Sequence, residues 1–228
     1  MNFDEWEPVY ERVLADFGFE RAADERARDT LRSLVAGDCY DTSPTGPFGR
    51  AVSGSVVAVV GAAPSLPAEV ERAAEADHVF AASTAADVCR DHGVAVDLMV
   101  TDLDKNPETA VELTHEGTPV AAHAHGDNVP AVREWIPRLD HAYTIPTTQA
   151  APAPPVRNFG GFTDGDRAAF LADHLDAASL RFVGWAFDDP SVGEMKAKKL
   201  RWAARLLTWL ESRQDERFAV LDGHRGPV

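Results

Sequence analysis

The chain has 228 residues and a formal net charge of −15, from 37 acidic and 22 basic residues. That charge disfavours a general nucleic-acid-binding protein, which needs a basic surface. Hydrophobic residues make up 45% of the chain, enough for one core with a small appendage. Two cysteines, Cys39 and Cys89, cannot form a disulfide framework or a cysteine-based zinc site. The start of the chain lacks a signal-peptide pattern, and no apolar run is long enough to cross a bilayer. We therefore expect a cytoplasmic protein that binds neither nucleic acid nor membranes, and homo-oligomer formation stays open.

The kind of acidity is informative as well. Aspartate outnumbers glutamate 22 to 15, and only four of the 22 basic residues are lysine. This composition is typical of cytoplasmic proteins from salt-accumulating archaea, where molar salt screens surface repulsion beyond about 3 Å. The alternative is an ordinary acidic protein from a GC-rich genome. We favour the halophilic interpretation.

The first 36 residues show the periodicity of two helices. Apolar residues over 3–17 fall on one face of a helix that Gly18 can end, and a second stripe over 27–35 is followed by Gly37. Glycines and prolines over 44–54 then predict a loop. Residues 1–50 are therefore expected to form an N-terminal helical extension that packs against the rest of the protein.

From residue 51 onward, short β-branched runs alternate with helix-like segments. Strands are predicted over 55–60, 78–81, 97–101, 119–122, 142–145 and 180–185, with an ordered loop over 147–155. Helices are predicted from 66 and over 84–92, 107–115, 129–136, 163–175 and 193–213. This alternation predicts an α/β fold, a Rossmann-like, doubly wound and mostly parallel sheet, in a catalytic domain of residues 51–228.

Ligands of such sheets bind outside the carboxyl ends of the strands, and several polar clusters fall there. Asp102 and Asp104 follow a buried strand directly. Because Mg²⁺ prefers one or two carboxylates together with phosphate oxygens and water, this pair is a candidate metal site. The alternative is that one aspartate caps a helix and the other is solvated surface.

The turn after the first strand reads Gly61-Ala62-Ala63-Pro64-Ser65-Leu66. It is neither a Walker loop, since it lacks the lysine, nor a G-x-G-x-x-G motif. It can still present backbone N–H groups and a helix N-terminus to a nucleotide, as an alternative to an ordinary strand-to-helix turn.

The scarce lysines cluster. Lys105 adjoins the aspartate pair, whereas Lys196, Lys198 and Lys199 crowd the start of the last helix. A chain that otherwise uses arginine has kept its lysines where a compact cation can meet phosphate. The alternative is a solvated helix flank.

The segment after the fourth strand contains His123, His125, Asp127 and Asn128. Because the two histidines alternate near a strand end, we expect one on each side of the strand, which disfavours a two-histidine metal site. One of them, with Asp127, is a candidate general base or phosphate contact, and Asp127 or Asn128 is equally a candidate helix cap.

Asp164 and Asp166 can cap the helix that follows them, or accept paired hydrogen bonds from an amidine-like ring edge such as that of a pterin. Trp185 and Phe187, beyond the last strand, are candidates for stacking on a flat heterocycle, although core packing is the more usual fate of such residues.

Four motifs occurring together resemble one family. They are Gly61-Ala62-Ala63-Pro64-Ser65-Leu66, Thr101-Asp102-Leu103-Asp104, His123-Ala124-His125-Gly126-Asp127-Asn128 and Asn158-Phe159-Gly160-Gly161-Phe162-Thr163-Asp164-Gly165-Asp166-Arg167. In this order they resemble the archaeal-type 6-hydroxymethyl-7,8-dihydropterin pyrophosphokinases over about residues 56–200, with a more distant similarity to thiamine pyrophosphokinase. The chain differs in having Lys105 after the acidic motif, where glycine is expected.

The resemblance implies a Mg²⁺-dependent transfer of diphosphate from ATP to the pterin hydroxymethyl group, with release of AMP, in folate or methanopterin biosynthesis. It implies Mg²⁺ on Asp102 and Asp104, and phosphate charge neutralised by Lys196 and Lys199. His125 or Asp127 would orient or deprotonate the hydroxyl. The expected nucleotide and pterin contacts, with a second metal contact among them, are Gly61, Ser65, Asn128, Asp164, Asp166 and Arg167.

Three other functions stay open on the sequence. They are pyrophosphoryl transfer to thiamine or another alcohol, a metal-dependent glycosyltransferase, and a non-catalytic nucleotide-binding module.

Overall fold

The computed structural model describes residues 1–35 and 39–228, so Gly37, the predicted end of the second helix, lies outside it. The predicted N-terminal helices are present as α1 (Phe3–Phe17) and α2 (Arg21–Leu34). Helix α1 ends at Gly18, whose φ of 70° lies in the left-handed region that glycine adopts without a steric penalty. Within the described residues, no helix is both long enough and apolar enough to span a membrane.

The loop predicted over 44–54 is wrong in part, because it contains the short helix α3 (Pro47–Val52). Pro47 lies in the first turn, where its fixed φ suits a helix and its missing N–H costs nothing. Gly49 packs so closely on the backbone of Ser43 and Pro44 that no side chain would fit. The residues that suggested a loop therefore begin and pack a helix.

Strands and helices alternate through the rest of the chain. The elements are β1 (Val56–Val60), α4 (Leu66–Glu69), β2 (His78–Ala82), α5 (Ala85–Asp91), β3 (Leu98–Thr101), α6 (Pro107–His115), β4 (Val120–Ala124), α7 (Val129–Trp135), β5 (Thr144–Thr148), α8 (Asp164–His174), β6 (Ser179–Val183) and α9 (Glu194–Gln214). Short 3₁₀ segments cover Val70–Glu75, Ile136–Arg138, His141–Tyr143 and Ala219–Leu221.

The six strands form one sheet in the order β5-β4-β3-β2-β1-β6, with every neighbouring pair parallel. The predicted α/β, doubly wound fold is confirmed. The chain steps in one direction from β1 to β5 and then returns to place β6 on the other side of β1. Since parallel crossovers are right-handed, this reversal puts the last crossover helix, α8, on the opposite face from α4 to α7. The crevice opens where the order reverses, between β1 and β6.

Each face of the sheet has its own core, because successive side chains of a strand point to opposite faces. Val57 and Val59 of β1 pack with α1, α8 and α9. Ala58 and Val60, which alternate with them, pack with α2 and with α4 to α7. Both N-terminal helices thus contribute to the cores on the two faces of the sheet. The predicted domain boundary near residue 50 stays a prediction.

Two strands extend beyond their predicted ends. Strand β4 continues through His123 to Ala124, and β5 runs from Thr144 to Thr148 instead of over 142–145. Pro146 lies inside β5, which is an edge strand, where the missing N–H of proline is tolerated. The other predicted strands and the helices from α5 to α9 agree with the structure to within two residues.

Candidate functional site

A cavity of about 310 Å³ lies at the carboxyl edge of the sheet. It is bounded by the loops after β1, β2, β3, β4 and β6 and by the first turns of α2, α8 and α9. Nine of the predicted site residues line it: Gly61, Asp102, Asp104, His125, Asp127, Asp164, Arg167, Lys196 and Lys199. Residues far apart in the sequence are therefore brought to one place by the topology.

Three predicted ligand contacts do not line this cavity. The Ser65 hydroxyl donates to Glu69 at 2.8 Å, within its own helix. Asp166 is fully buried and accepts the N–H groups of Phe162 and Thr163, at 2.6 and 2.8 Å, as half of a capping box. The structure gives both residues local structural roles, and their contacts with a ligand stay predictions.

Asn128 is the third of these, and it holds two site loops together. Its amide oxygen accepts the N–H of His125 at 2.9 Å. Its amide nitrogen donates to the carbonyls of Asp102 and His123, at 2.8 and 2.7 Å. Asn128 thus fixes the loop after β4 against the loop after β3, without lining the cavity.

Two acidic side chains come together in a tight turn after β3. Leu103 has a φ of 64°, and this left-handed residue turns the chain between Asp102 and Asp104. The Asp104 N–H donates to the Asp102 carboxylate at 3.3 Å. The His125 ring contacts the other carboxylate oxygen, with Nε2 at 3.4 Å from Asp102 Oδ2.

The charges of these carboxylates interact strongly. Burial would raise the pKa of Asp102, but hydrogen bonds from His125 and Asp104 lower it below its ordinary value, and the charge of Arg167 acts in the same direction. Burial and the neighbouring Asp102 raise the pKa of Asp104 to about 6. Burial, and then the charge of Asp102, raise the pKa of Asp164 to about 7. Asp104 and Asp164 therefore bind a proton more readily than ordinary aspartates, because both are buried near the charge of Asp102.

The two carboxylates of Asp102 and Asp104 suit a hard cation that takes its remaining ligands from a substrate and from water. Within the described ranges, no group of three or more His, Cys, Asp or Glu side chains forms a complete metal site. Asp102 and Asp104 supply one or two carboxylates, and Mg²⁺ characteristically completes its shell with water and phosphate oxygens. Magnesium binding itself stays a prediction.

Three of the four lysines line the cavity: Lys105, Lys196 and Lys199. Burial, with a further contribution from Lys105, lowers the pKa of Lys196. Lys198 is directed elsewhere, because its ammonium donates to the Asp16 carbonyl at 2.6 Å and pairs with the Asp16 carboxylate at 3.0 Å. The cluster predicted at the start of the last helix therefore divides into cavity and surface residues.

The prediction that the two histidines face opposite sides is wrong. Residues two positions apart in a strand point to the same face, and the His123 and His125 ring centroids lie 6.2 Å apart. His123 is buried in β4, where Nδ1 lies 3.0 Å from the Thr147 hydroxyl, and burial lowers its pKa well below 6.5. His125 lines the cavity, and its Nδ1 lies 3.4 Å from the N–H of Asp127. The Asp127 carboxylate also lines the cavity and, among the described residues, makes no hydrogen bond or ion pair.

Trp185 follows β6 and lines the cavity, with its indole N–H donating to the Val59 carbonyl at 2.9 Å. Phe187 is buried and packs against it, with ring centroids 5.6 Å apart. The loops after β1 and β6 approach so closely that a Cβ on Gly61 would lie 2.8 Å from the Gly184 carbonyl oxygen. Glycine at 61 is therefore needed for backbone packing at the point where the strand order reverses.

A hydrogen-bonded chain that the sequence analysis missed links the N-terminal helices to the cavity. Asp24 of α2 is 3% exposed and accepts from the Tyr10 hydroxyl at 2.7 Å, from the Gly126 N–H at 2.8 Å and from the Gln149 amide at 2.8 Å. Gln149 accepts from Arg167 at 3.2 Å. A signal for Asp24 was present, since it precedes Ala27 and Leu31 on the apolar face of α2, where an aspartate is out of place.

Arg167 completes this chain by donating to the Asp164 carboxylate at 3.0 Å. Its side chain is almost fully buried, so this ion pair is little screened by solvent. The orientation of Asp164 in the cavity is thereby tied to Gln149, and through it to the N-terminal helices.

Comparison with known proteins supports an assignment. A family model described as "6-hydroxymethylpterin diphosphokinase MptE-like" matches residues 39–191. The chain belongs to this family. The match includes the strands that carry the cavity from β1 to β6, which confirms the family resemblance and the expectation of an enzyme of this kind.

Three curated relatives extend the similarity to almost the full length of the chain, and each is named 6-hydroxymethyl-7,8-dihydropterin pyrophosphokinase. The protein from Methanothermobacter thermautotrophicus is 36% identical over 96% of this chain and 99% of its own length. The relative from Pyrococcus furiosus is 34% identical, over 93% of this chain and 95% of its own. The relative from Methanocaldococcus jannaschii is 29% identical, over 96% and 99%.

Proposed function

We propose that the protein transfers diphosphate from ATP to the hydroxymethyl group of 6-hydroxymethyl-7,8-dihydropterin, releasing AMP, with Mg²⁺ bound. The observation that carries this proposal is that one cavity is lined by three aspartates after strands or at a helix start and by three lysines: Asp102, Asp104, Asp164, Lys105, Lys196 and Lys199. The names of the three relatives supply the acceptor. The product would be the activated pterin that folate or methanopterin biosynthesis consumes.

The chemistry depends on position and charge. In the proposed reaction the pterin hydroxyl attacks the β-phosphorus of ATP in line, and AMP leaves with the bridging oxygen. A bound Mg²⁺, held by Asp102 and Asp104, would neutralise phosphate charge. Lys196 and Lys199 line the same cavity and would contact the phosphates. Such a reaction needs little covalent participation from the protein.

Asp127 is the better placed of the two candidates for the acceptor hydroxyl. Both ring nitrogens of His125 have neighbours, since Nδ1 lies near the Asp127 N–H and Nε2 near Asp102. His125 is thus suited to orient Asp102. The Asp127 carboxylate has no partner among the described residues and lines the cavity, so it is free to orient the hydroxyl for attack.

Of the two aspartates at the start of α8, Asp164 is proposed to contact the ligands. It lines the cavity and is held by Arg167, whereas the oxygens of Asp166 are used within the capping box. Trp185 offers an indole beside the β1 turn, where the flat ring of a substrate would stack.

An AMP-release assay tests the proposed function. It uses ATP, Mg²⁺ and one acceptor at a time, in molar KCl to suit the acidic composition. We expect AMP only with 6-hydroxymethyl-7,8-dihydropterin. Release with thiamine instead would contradict the proposed acceptor, and ATP binding without AMP release on any acceptor would favour a non-catalytic nucleotide module. Sugar transfer from a nucleotide sugar in a parallel reaction would favour the glycosyltransferase alternative.

A further inference from the structure

Ser83 is a strained residue with an unsatisfied hydroxyl at the cavity. It follows β2, lines the cavity and is 9% exposed. Its Oγ is buried and, among the described residues, has no hydrogen-bond partner. A buried hydroxyl without a partner is costly, and native structures rarely keep one without a reason.

The backbone of Ser83 adds a second cost. Its φ of 50° places a residue with a Cβ in the left-handed region, which costs about 1 kcal/mol or more. The surroundings hold it there: its N–H donates to the Val100 carbonyl at 2.8 Å, and its carbonyl accepts from Asn106 at 3.3 Å. Asn106 is itself fixed by a 2.9 Å bond to Asp87. The fold thus keeps a strained serine where glycine would relieve the strain.

The order of the strands places the Ser83 hydroxyl between two other parts of the candidate site. Strand β2 lies between β1, which is followed by the Gly61 turn, and β3, which is followed by Asp102 and Asp104. Ser83 therefore sits between the glycine turn and the acidic pair, along the edge where the proposed function places the nucleotide. A serine O–H can donate to an anionic oxygen at this position.

We propose that the Ser83 hydroxyl donates a hydrogen bond to a phosphate oxygen of the donor nucleotide. This inference rests on the proposed function, because it takes the nucleotide phosphates to lie between the β1 turn and the acidic pair. The bound nucleotide then gives the Ser83 hydroxyl the hydrogen-bond acceptor that it lacks in the protein. The strained backbone of Ser83 holds the hydroxyl in position for this contact.

The test measures nucleotide affinity and thermal stability in the same variants. Ser83→Ala removes the hydroxyl and keeps the strain, whereas Ser83→Gly removes both. Asp176→Gly is the matched control, because Asp176 also has a left-handed φ, of 59°, but is exposed and does not line the cavity. Titration calorimetry with Mg²⁺ and α,β-methylene-ATP gives the nucleotide affinity, and 6-hydroxymethylpterin serves as the acceptor probe.

We expect both Ser83 variants to bind the ATP analogue about 10–100-fold more weakly, as for one lost hydrogen bond to a charged acceptor. Their affinity for the pterin should be unchanged, and Asp176→Gly should bind both ligands normally. Ser83→Gly should also melt higher, by about 2–4 °C. If Ser83 had only a structural role, the two Ser83 variants would instead lose thermal stability and nucleotide affinity together.

Unchanged nucleotide affinity in both Ser83 variants would overturn the inference and leave the proposed function intact. Weaker pterin binding with normal nucleotide binding would also overturn it, by moving the hydroxyl to the acceptor side. A wild-type protein that binds no ATP analogue would overturn both proposals, so the two failures are distinguishable.

Discussion

The Asp24 carboxylate accepts a hydrogen bond from the Gly126 backbone N–H at 2.8 Å, across 102 positions of sequence. The contact joins the second N-terminal helix to the loop that carries His125 and Asp127. The same carboxylate also accepts a hydrogen bond from the Gln149 side-chain amide at 2.8 Å. One buried side chain therefore fixes two walls of the cavity. The N-terminal helices therefore form part of the site.

Asp24→Asn should lower activity more than it lowers substrate affinity. The amide cannot accept from all three of the donors that now reach the carboxylate, so the Gly126 loop and Gln149 lose support. We expect kcat to fall about tenfold or more, since misplacement by about 1 Å can cost 100-fold, with KM for ATP changed less. Steady-state AMP release measures both.

Tyr10→Phe is the control for this prediction. It removes one of the three donors and leaves the contacts of Asp24 with Gly126 and Gln149 in place. We expect near wild-type kcat in Tyr10→Phe. If it loses as much activity as Asp24→Asn, general destabilisation of the N-terminal helices explains both results.

Asp102→Asn should abolish turnover and leave the fold intact. The change removes the charge that would hold the cation and that raises the pKa of both Asp104 and Asp164. A loss of about 100-fold or more in kcat is expected, the size seen when one electrostatic contact to a reacting group is removed. Circular dichroism should show an unchanged melting transition. Asp91→Asn is the control, because it removes the same charge at an exposed aspartate outside the cavity, and it should keep full activity. Retained activity in Asp102→Asn would refute the metal assignment.

Lys196→Ala and Lys198→Ala remove the same charge from the same helix but should differ in effect. Lys196 lines the cavity, whereas Lys198 pairs with Asp16 on the surface. Losing a phosphate contact should raise KM for ATP about tenfold or more in Lys196→Ala. In Lys198→Ala it should change less than about twofold, because exposed ion pairs contribute little. Equal effects of the two substitutions would assign the change to overall charge.

His123→Gln should change how stability depends on pH. Burial lowers the folded pKa of His123 well below 6.5, so the unfolded chain binds a proton that the folded chain does not. Stability from this group is therefore complete above pH 6.5 and is lost as the pH falls below it. Relative to the variant, the wild type should lose about 1.4 kcal/mol between pH 7.5 and 5.5. Urea unfolding at both pH values measures this, and parallel pH profiles would mean that His123 protonates freely in the folded state.

The predictable parts of the fold were those with strong periodicity. The apolar face of 3–17 predicted α1, and the β-branched run around Val57 and Val59 predicted a buried strand, because these patterns depend only on which side chains are buried. The end of β5 was misplaced because Pro146 resembles a strand breaker unless its edge position is known, and pairing between distant strands fixes that position.

The site was predictable where its residues follow strands directly, as Asp102 and Asp104 do. Asp24 and Gln149 could not be assigned in this way, because their contacts span more than 100 positions and depend on how α2 packs beside β4 and β5. The orphaned hydroxyl of Ser83 is likewise visible only once its surroundings are known.

In the proposed reaction the whole diphosphate moves from ATP to the pterin, and the fate of the β-phosphorus distinguishes this from transfer of a single phosphoryl group. The protein is incubated with [β-³²P]ATP, Mg²⁺ and 6-hydroxymethyl-7,8-dihydropterin, and the products are separated. We predict label in the pterin product in equal amount to the AMP released, and at least about 100-fold slower formation of both with Asp102→Asn. Label retained in ADP would show transfer of a single phosphoryl group and would rule out the proposed diphosphate transfer.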